Sequence, residues 1–282
     1  MIKIGTIEAS NIKIGETQVQ KMYLGTNLIW QYSSGGGNNE PTYTEQYFTL
    51  EAAADSCDIT IKIPAQVTTT NYSYLEYSTD NGTTWTRTNN ADSLVTINIP
   101  TLDTGEKVLL RGSGDRISVG TTYNGANYYS NITATQNFKA YGNTMSLLYG
   151  SSFSDKVAFP SSVAAIFGAL FYNSTHLVDA KNLILPATTL AATDCYNDMF
   201  RNTRITESPI LPALTLVESC YKRMFQDCTA LTKITILATS VTAKNCLQDW
   251  VKNISTTGVM YKNSSASWTG YIPSNWTTAI AS

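Results

Sequence analysis

Between residues 163 and 251 one apolar spacing returns four times, and no other feature of the chain restricts its fold so tightly. The sets are Val163, Ile166, Phe167, Leu170 and Phe171; Ala192, Cys195, Tyr196, Met199 and Phe200; Val217, Cys220, Tyr221, Met224 and Phe225; and Ala243, Cys246, Leu247, Trp250 and Val251. Each has internal offsets of 0, 3, 4, 7 and 8, and the copies are offset by 29, 25 and 26 residues. Those offsets place five side chains on one face of a helix, so the spacing predicts four helices. Three of the five cysteines occupy one slot of the pattern, as a small core residue would.

Extended pieces lie between these sets: "LILPATTL", "ILPALTL" and "ITILATSV". Leu185 aligns with Leu211 and Leu237, and Pro186 with Pro212, whereas the last copy has Ala238. A strand followed by a helix at this period is the signature of a leucine-rich-repeat solenoid. One such repeat buries too little apolar surface to offset its ordering entropy, so neighbours must stack. The array then needs caps. "YGNTMSLLYGSSF" before it and "GVMYKNSSASWTGYIPSNWTTA" after it suit that role, with Trp268 and Trp276 placed to cover the last repeat. Tyr261, Trp268, Tyr271 and Trp276 are also the candidate ligand contacts, because an exposed aromatic ring is a stacking platform for a sugar.

Upstream the period changes from helix-like to two. Residues 1–32 repeat about every ten, with Ile2, Ile12 and Met22 in register, Ile4, Ile14 and Leu24 in register, and Gly5, Gly15 and Gly25 closing each unit. This reads as a small meander of short strands. So short a meander is unstable alone, and Ile2, Ile4, Ile12, Ile14, Met22, Leu24 and Trp30 are the candidate anchor residues, docking on another protein or on a second copy. Residues 33–44 have the composition of a flexible tether. Residues 45–140 carry strand-like runs, "YFTL", "CDITIKIP", "YSYLEYS", "LVTINIP", "KVLLRG" and "YYSNITAT", separated by turn residues, which predicts an immunoglobulin-like or fibronectin-III-like β-sandwich. Within it Ser78, Asp80, Gly82, Thr84 and Trp85 match the S-x-D-x-G-x-T-W Asp-box, read here as a tight hairpin in which Asp80 folds back on backbone N–H groups and Gly82 supplies φ > 0. Residues 141–282 form the repeat domain with its caps. The expected fold is therefore multidomain and mainly β: an N-terminal meander, a β-sandwich and an α/β solenoid.

Composition narrows the function classes. Charged residues make up 14% of the chain and the net charge is -2, so no basic surface invites nucleic acid or an acidic membrane. No apolar window reaches bilayer length, and the N-terminus lacks the apolar core of a signal peptide, which predicts no membrane insertion and synthesis in a cytoplasm. Five cysteines without CxxC spacing and a single histidine, His176, argue for buried thiols and against a metal centre. His176 is expected at a surface or repeat edge. Catalysis needs paired carboxylates or a nucleophile with its base; the acidic residues are scattered and no G-x-S-x-G occurs, so neither catalytic residues nor a cofactor are expected.

The stretch from Leu183 to Thr239 resembles the BspA-like leucine-rich repeats of surface proteins and phages of gut Bacteroidales. The likeness rests on Leu185 to Leu190, Cys195-Tyr196, Met199-Phe200, Cys220-Tyr221, Met224-Phe225 and Cys228-Thr229-Ala230-Leu231. The last copy departs from it, with "NCLQDWVKN" replacing Cys-Tyr and Met-Phe. "KMYLGTNLIW" is similar to N-terminal pieces of phage tail and fibre proteins. The resemblance implies a virion fibre or decoration protein of a crAss-like or related phage, whose anchor docks on a capsid or tail protein and which touches a host-surface glycan or protein. An unshielded meander and a solenoid stalk both invite self-association, so a homo-oligomer (dimer or trimer) is expected. A bacterial adhesin and a capsule-degrading enzyme are the alternative readings.

Overall fold

The computed structural model describes residues 13–14, 17–18, 21–24, 27–31, 46–63, 72–88, 95–118, 130–160 and 162–281. The 33–44 tether and the anchor candidates Ile2, Ile4 and Ile12 lie outside the described residues. Strands β1 (Lys13–Ile14) and β2 (Thr17–Gln18) pair antiparallel, as do β3 (Lys21–Leu24) and β4 (Asn27–Gln31). These are the short strands that the glycine-punctuated period of two predicts. Ile14 falls in β1, Met22 and Leu24 in β3, and Trp30 in β4, where it is the cross-strand partner of Met22.

The runs expected to be strands in the next segment are strands. β5 (Phe48–Ala52), β7 (Tyr72–Ser78), β8 (Thr86–Arg87), β10 (Lys107–Gly114) and β12 (Phe138–Asn143) form one sheet in the order β12-β5-β10-β7-β8. β6 (Ile59–Ile63) lies between β9 (Val95–Asn98) and β11 (Asn131–Ala134) in a second. Alternate residues turn inward from each: Phe48, Leu50 and Ala52 from β5, Ile59, Ile61 and Ile63 from β6, and Val108 and Leu110 from β10 all join one core. The period of two in the sequence is this alternation.

β12 ties this part to the repeats. It runs antiparallel to β5 and parallel to β13 (Leu177–Asp179) and β14 (Leu183–Ile184), so the boundary expected at residue 140 falls inside a strand that serves both sides. At Gly142 (φ +83) a β-carbon would collide with the Tyr47 carbonyl, which is why glycine occupies the crossing. α1 (Ser146–Tyr149) follows and is the only α-helix among the described residues. A parallel sheet of β15 (Glu207–Leu211), β16 (Lys233–Ile236), β17 (Gly258–Lys262) and β18 (Trp276–Ile280) completes the chain. The expected C-terminal cap thus contributes the last two strands.

The four apolar sets are not helices. Segments 165–173, 194–202, 219–227 and 245–253 are chains of turns in which every fourth residue has positive φ: Ala165, Ala169 and Asn173; Asp194, Asp198 and Asn202; Ser219, Arg223 and Asp227; Asn245, Asp249 and Asn253. An α-helix cannot pass through such residues. Within each segment one N–H in two bonds back three residues, as Gly168 does to the Ala165 carbonyl, and the others bond to the neighbouring segment. Ala165, Phe167, Ala169, Phe171 and Asn173 donate to the carbonyls of Thr193, Cys195, Asn197, Met199 and Arg201 at 2.8–3.0 Å. The second segment donates in the same way to the third, and the third to the fourth. The expected α/β composition of the repeats is therefore replaced by strands and stacked, non-helical coils, and the described chain is mainly β.

The physical reason lies in the offsets. Positions 0, 3, 4, 7 and 8 fit a period of four as well as one of 3.6, and the period of four lets each coil bond to the next along its whole length. Five bonds per interface at ~1 kcal/mol each contribute ~5 kcal/mol, and aromatic columns add to this. Phe171, Phe200 and Phe225 stack at 5.5 and 5.7 Å between ring centres, Phe48 from β5 meets Phe171 at 6.0 Å, and Trp250 meets Phe225 at 6.3 Å. A parallel column joins Phe167, Tyr196 and Tyr221 at 5.9 and 5.8 Å.

Candidate binding surface

The parallel sheet turns Ile234, Ile236, Met260 and Trp276 into the core and leaves its other face to solvent. Strand register lines up two outward rows: Glu207, Lys233, Val259 and Thr277, then Ile210, Thr235, Tyr261 and Ala279. Lys233 Nζ lies 2.6 Å from Glu207 Oε1 and 5.5 Å from the centre of the Tyr261 ring. Ile210 is 55% exposed. The face is weakly charged and mixed in character. Such a surface suits contact with another surface, because hydrogen-bonding hydroxyls flank apolar area and the ion pair adds direction.

Of the aromatic residues expected to contact a ligand, Tyr261 alone stands on this face. Trp268 and Trp276 are only 4% and 7% exposed, which corrects their reading as open platforms. Their indole N–H groups donate to the carbonyls of Asn263 (3.0 Å) and Ser255 (2.9 Å) while the rings close the end of the stack. Tyr271 packs half-buried on the core, and its carbonyl accepts the Trp250 indole N–H at 3.0 Å.

The Asp-box forms the hairpin between β7 and β8. Ser78 Oγ donates to Asp80 Oδ1 at 2.7 Å and accepts the Gly82 N–H at 2.8 Å, while the Thr84 N–H and hydroxyl donate to the Asp80 carboxylate at 2.9 and 2.6 Å. These bonds from Thr84 and Ser78 lower the Asp80 pKa to about 2. Gly82 has φ +85, and the Trp85 indole donates to its carbonyl at 3.0 Å. Arg111 lies 4.0 Å above the Trp85 ring and pairs with Glu76 at 2.7 Å; Arg87 takes the other Glu76 oxygen at 2.8 Å. Burial works to raise the Glu76 carboxyl, but the bonds to Arg111 and Arg87 outweigh it and hold the group below the ordinary carboxylate range. Each carboxylate here is engaged in holding the hairpin to the sheet. A shallow groove beside it is lined by Thr79, Asn81, Thr101, Glu106 and Lys107.

Five thiols are buried, Cys57, Cys195, Cys220, Cys228 and Cys246. Desolvation pushes Cys220 up to about 12 and Cys228 to about 11, far from the thiolate that nucleophilic or metal chemistry requires. No group of three potential metal ligands occurs among the described residues. His176 sits half-buried at the edge of the repeats, its carbonyl accepting the Phe138 N–H at 2.9 Å.

The sequence pattern had not exposed one set of residues. Asp198 is fully buried and takes both oxygens' worth of Arg223, with Nε to Oδ1 at 2.9 Å and Nη2 to Oδ2 at 2.7 Å. Asn202 donates to Asn173 at 2.9 Å and Asn253 to Asp227 at 2.8 Å, so these side chains link coil to coil at the positive-φ positions. A signal for them exists: eight of the twelve positive-φ coil residues are Asn or Asp, the residues that tolerate that conformation best.

No protein-family model, curated protein or solved structure matches the chain. No helix among the described residues is long and apolar enough to cross a membrane.

Proposed function

We propose that this chain is a bacteriophage virion protein of fibre or decoration type, anchored to a capsid or tail protein by its first 32 residues and presenting its repeat region to the host surface. In this reading the two antiparallel sheets are an immunoglobulin-like sandwich and the coils with their parallel sheet are a leucine-rich-repeat-like solenoid without helices. The observation that carries the presenting role is the solvent-facing sheet surface around Glu207, Lys233, Ile210 and Tyr261, held on coils bonded along their length. The virion assignment draws on the likeness of "LILPATTL", the Cys-Tyr and Met-Phe pairs and "KMYLGTNLIW" to phage and Bacteroidales surface proteins. A binding role, with no catalytic step, accords with carboxylates tied into ion pairs and thiols kept protonated.

Gradient fractionation of a producing culture, with immunodetection of the repeat region, tests this. Co-sedimentation with DNA-filled particles is expected. Recovery in a bacterial envelope would favour the adhesin reading, and cleavage of polysaccharide by the purified chain would overturn the non-enzymatic role.

A further inference from the structure

Every backbone bond between coils points the same way: the earlier coil gives the N–H and the later coil gives the carbonyl. A stack built like this has an acceptor edge at its start and a donor edge at its end. The acceptor edge is covered. Ile117 N–H donates to the Ile166 carbonyl at 3.1 Å, Ile132 N–H to the Leu170 carbonyl at 2.9 Å, and the Asn131 amide to the Tyr172 carbonyl.

The donor edge is open at three of its five positions. Asn245, Leu247, Asp249, Val251 and Asn253 hold the places from which Ser219, Tyr221, Arg223, Phe225 and Asp227 donate, and among the described residues nothing accepts from their N–H groups. The C-terminal segment covers the Trp250 side chain through the Tyr271 carbonyl, Leu247 is buried and Val251 is half-buried, but Asn245, Asp249 and Asn253 stay exposed.

A side chain marks the same edge independently. Asp249 occupies the slot of Asp198, which is neutralised by Arg223 of the following coil. Among the described residues no coil follows Asp249, and its ion pair is a long 3.9 Å contact with Lys252 of its own segment. Carboxylate and donor row together specify what completes them: a row of carbonyls with a guanidinium at its centre.

We propose that the last coil docks a polypeptide segment of a partner protein, which adds as a further coil and sets an arginine on Asp249. Backbone pairing supplies the adhesion and the ion pair the register, as in strand addition at a sheet edge. A second copy of this chain is a poorer occupant: its own acceptor edge lies under Ile117 and Ile132, and a two-fold pairing would set N–H against N–H. A free anion would suit the donors but meet the Asp249 carboxylate. The inference does not depend on the virion assignment.

The test uses the full chain, labelled with 15N, and a synthetic peptide of its own residues 215–231, whose Arg223 and carbonyls already play this part against Asp198. Saturable shifts centred on the amides of Asn245, Asp249 and Asn253 are expected. Asp249→Arg should weaken binding about tenfold or more, and a peptide carrying Arg223→Asp should restore it. Asp249→Asn, which keeps the shape of the side chain, should weaken it in the same direction. No shift at millimolar peptide overturns the proposal. So do shifts that grow with protein concentration alone, which would assign the edge to a second copy, and equal shifts with inorganic phosphate, which would assign it to an anion.

Discussion

Replacing Phe225 by alanine probes the stack at its most crowded point. The ring is fully buried between Phe200 at 5.7 Å and Trp250 at 6.3 Å, and its N–H holds the Trp250 carbonyl at 2.8 Å. Removing a buried phenyl costs ~3–5 kcal/mol through lost transfer energy and the cavity left behind. Collapse into that cavity is limited here, because both neighbouring coils are pinned by backbone bonds on either side, so the cost should fall near ~4 kcal/mol. Urea unfolding followed by tryptophan fluorescence reads it directly, since Trp250, Trp268 and Trp276 all lie at the end of the stack. With a slope of about 2 kcal/mol/M, the midpoint should move down by about 2 M. Phe225→Leu, which keeps most of the volume, should cost under half as much. A loss below about 1 kcal/mol for the alanine variant would refute the packing of the aromatic column.

Other outcomes follow from single residues. Asn245 is exposed at φ 55, so Asn245→Gly should be close to neutral and Asn245→Val should cost ~1–2 kcal/mol in thermal unfolding; indistinguishable variants would restore a helix. The Tyr221 hydroxyl is buried without a hydrogen-bond partner among the described residues, so Tyr221→Phe should hold or raise stability by ~1 kcal/mol, and a clear loss would reveal a hidden acceptor. Asp80 should titrate at about 2 by carbon NMR, well below its ordinary 3.8. Because its folded pKa is depressed, its contribution to the hairpin is complete above the ordinary value and is lost as pH falls through about 2; a titration near 3.8 would mean that Thr84 and Ser78 do not hold the carboxylate.

The contrast between the two halves shows what a one-dimensional pattern carries. Ile59, Ile61 and Ile63 alternate because a strand has a period of two, and nothing else in a short run has that period. Phe167, Leu170 and Phe171 are ambiguous, since spacings of three and four satisfy both a helix and a run of four-residue turns. In the later copies Asn or Asp at most of the fourth positions, such as Asp194, Asp198 and Asn202, points to the turns, but apolar periodicity alone does not weigh them. The candidate surface was partly legible: Tyr261 stands on the open face, whereas Trp268 and Trp276 are buried by a cap whose carbonyls satisfy their indoles.

Sequence alone determined most of the strands, the repeat period and the core positions, because each depends on spacing along the chain and on the burial of apolar side chains. Tertiary structure decided the backbone of the coils and the polarity of their bonds. A lone segment has no partner for the N–H groups that point out of it, and only a neighbour bearing carbonyls at matching height makes the turn conformation preferable to a helix. The same cause leaves, among the described residues, the last coil with donors facing outward and Asp249 without the arginine that Asp198 has.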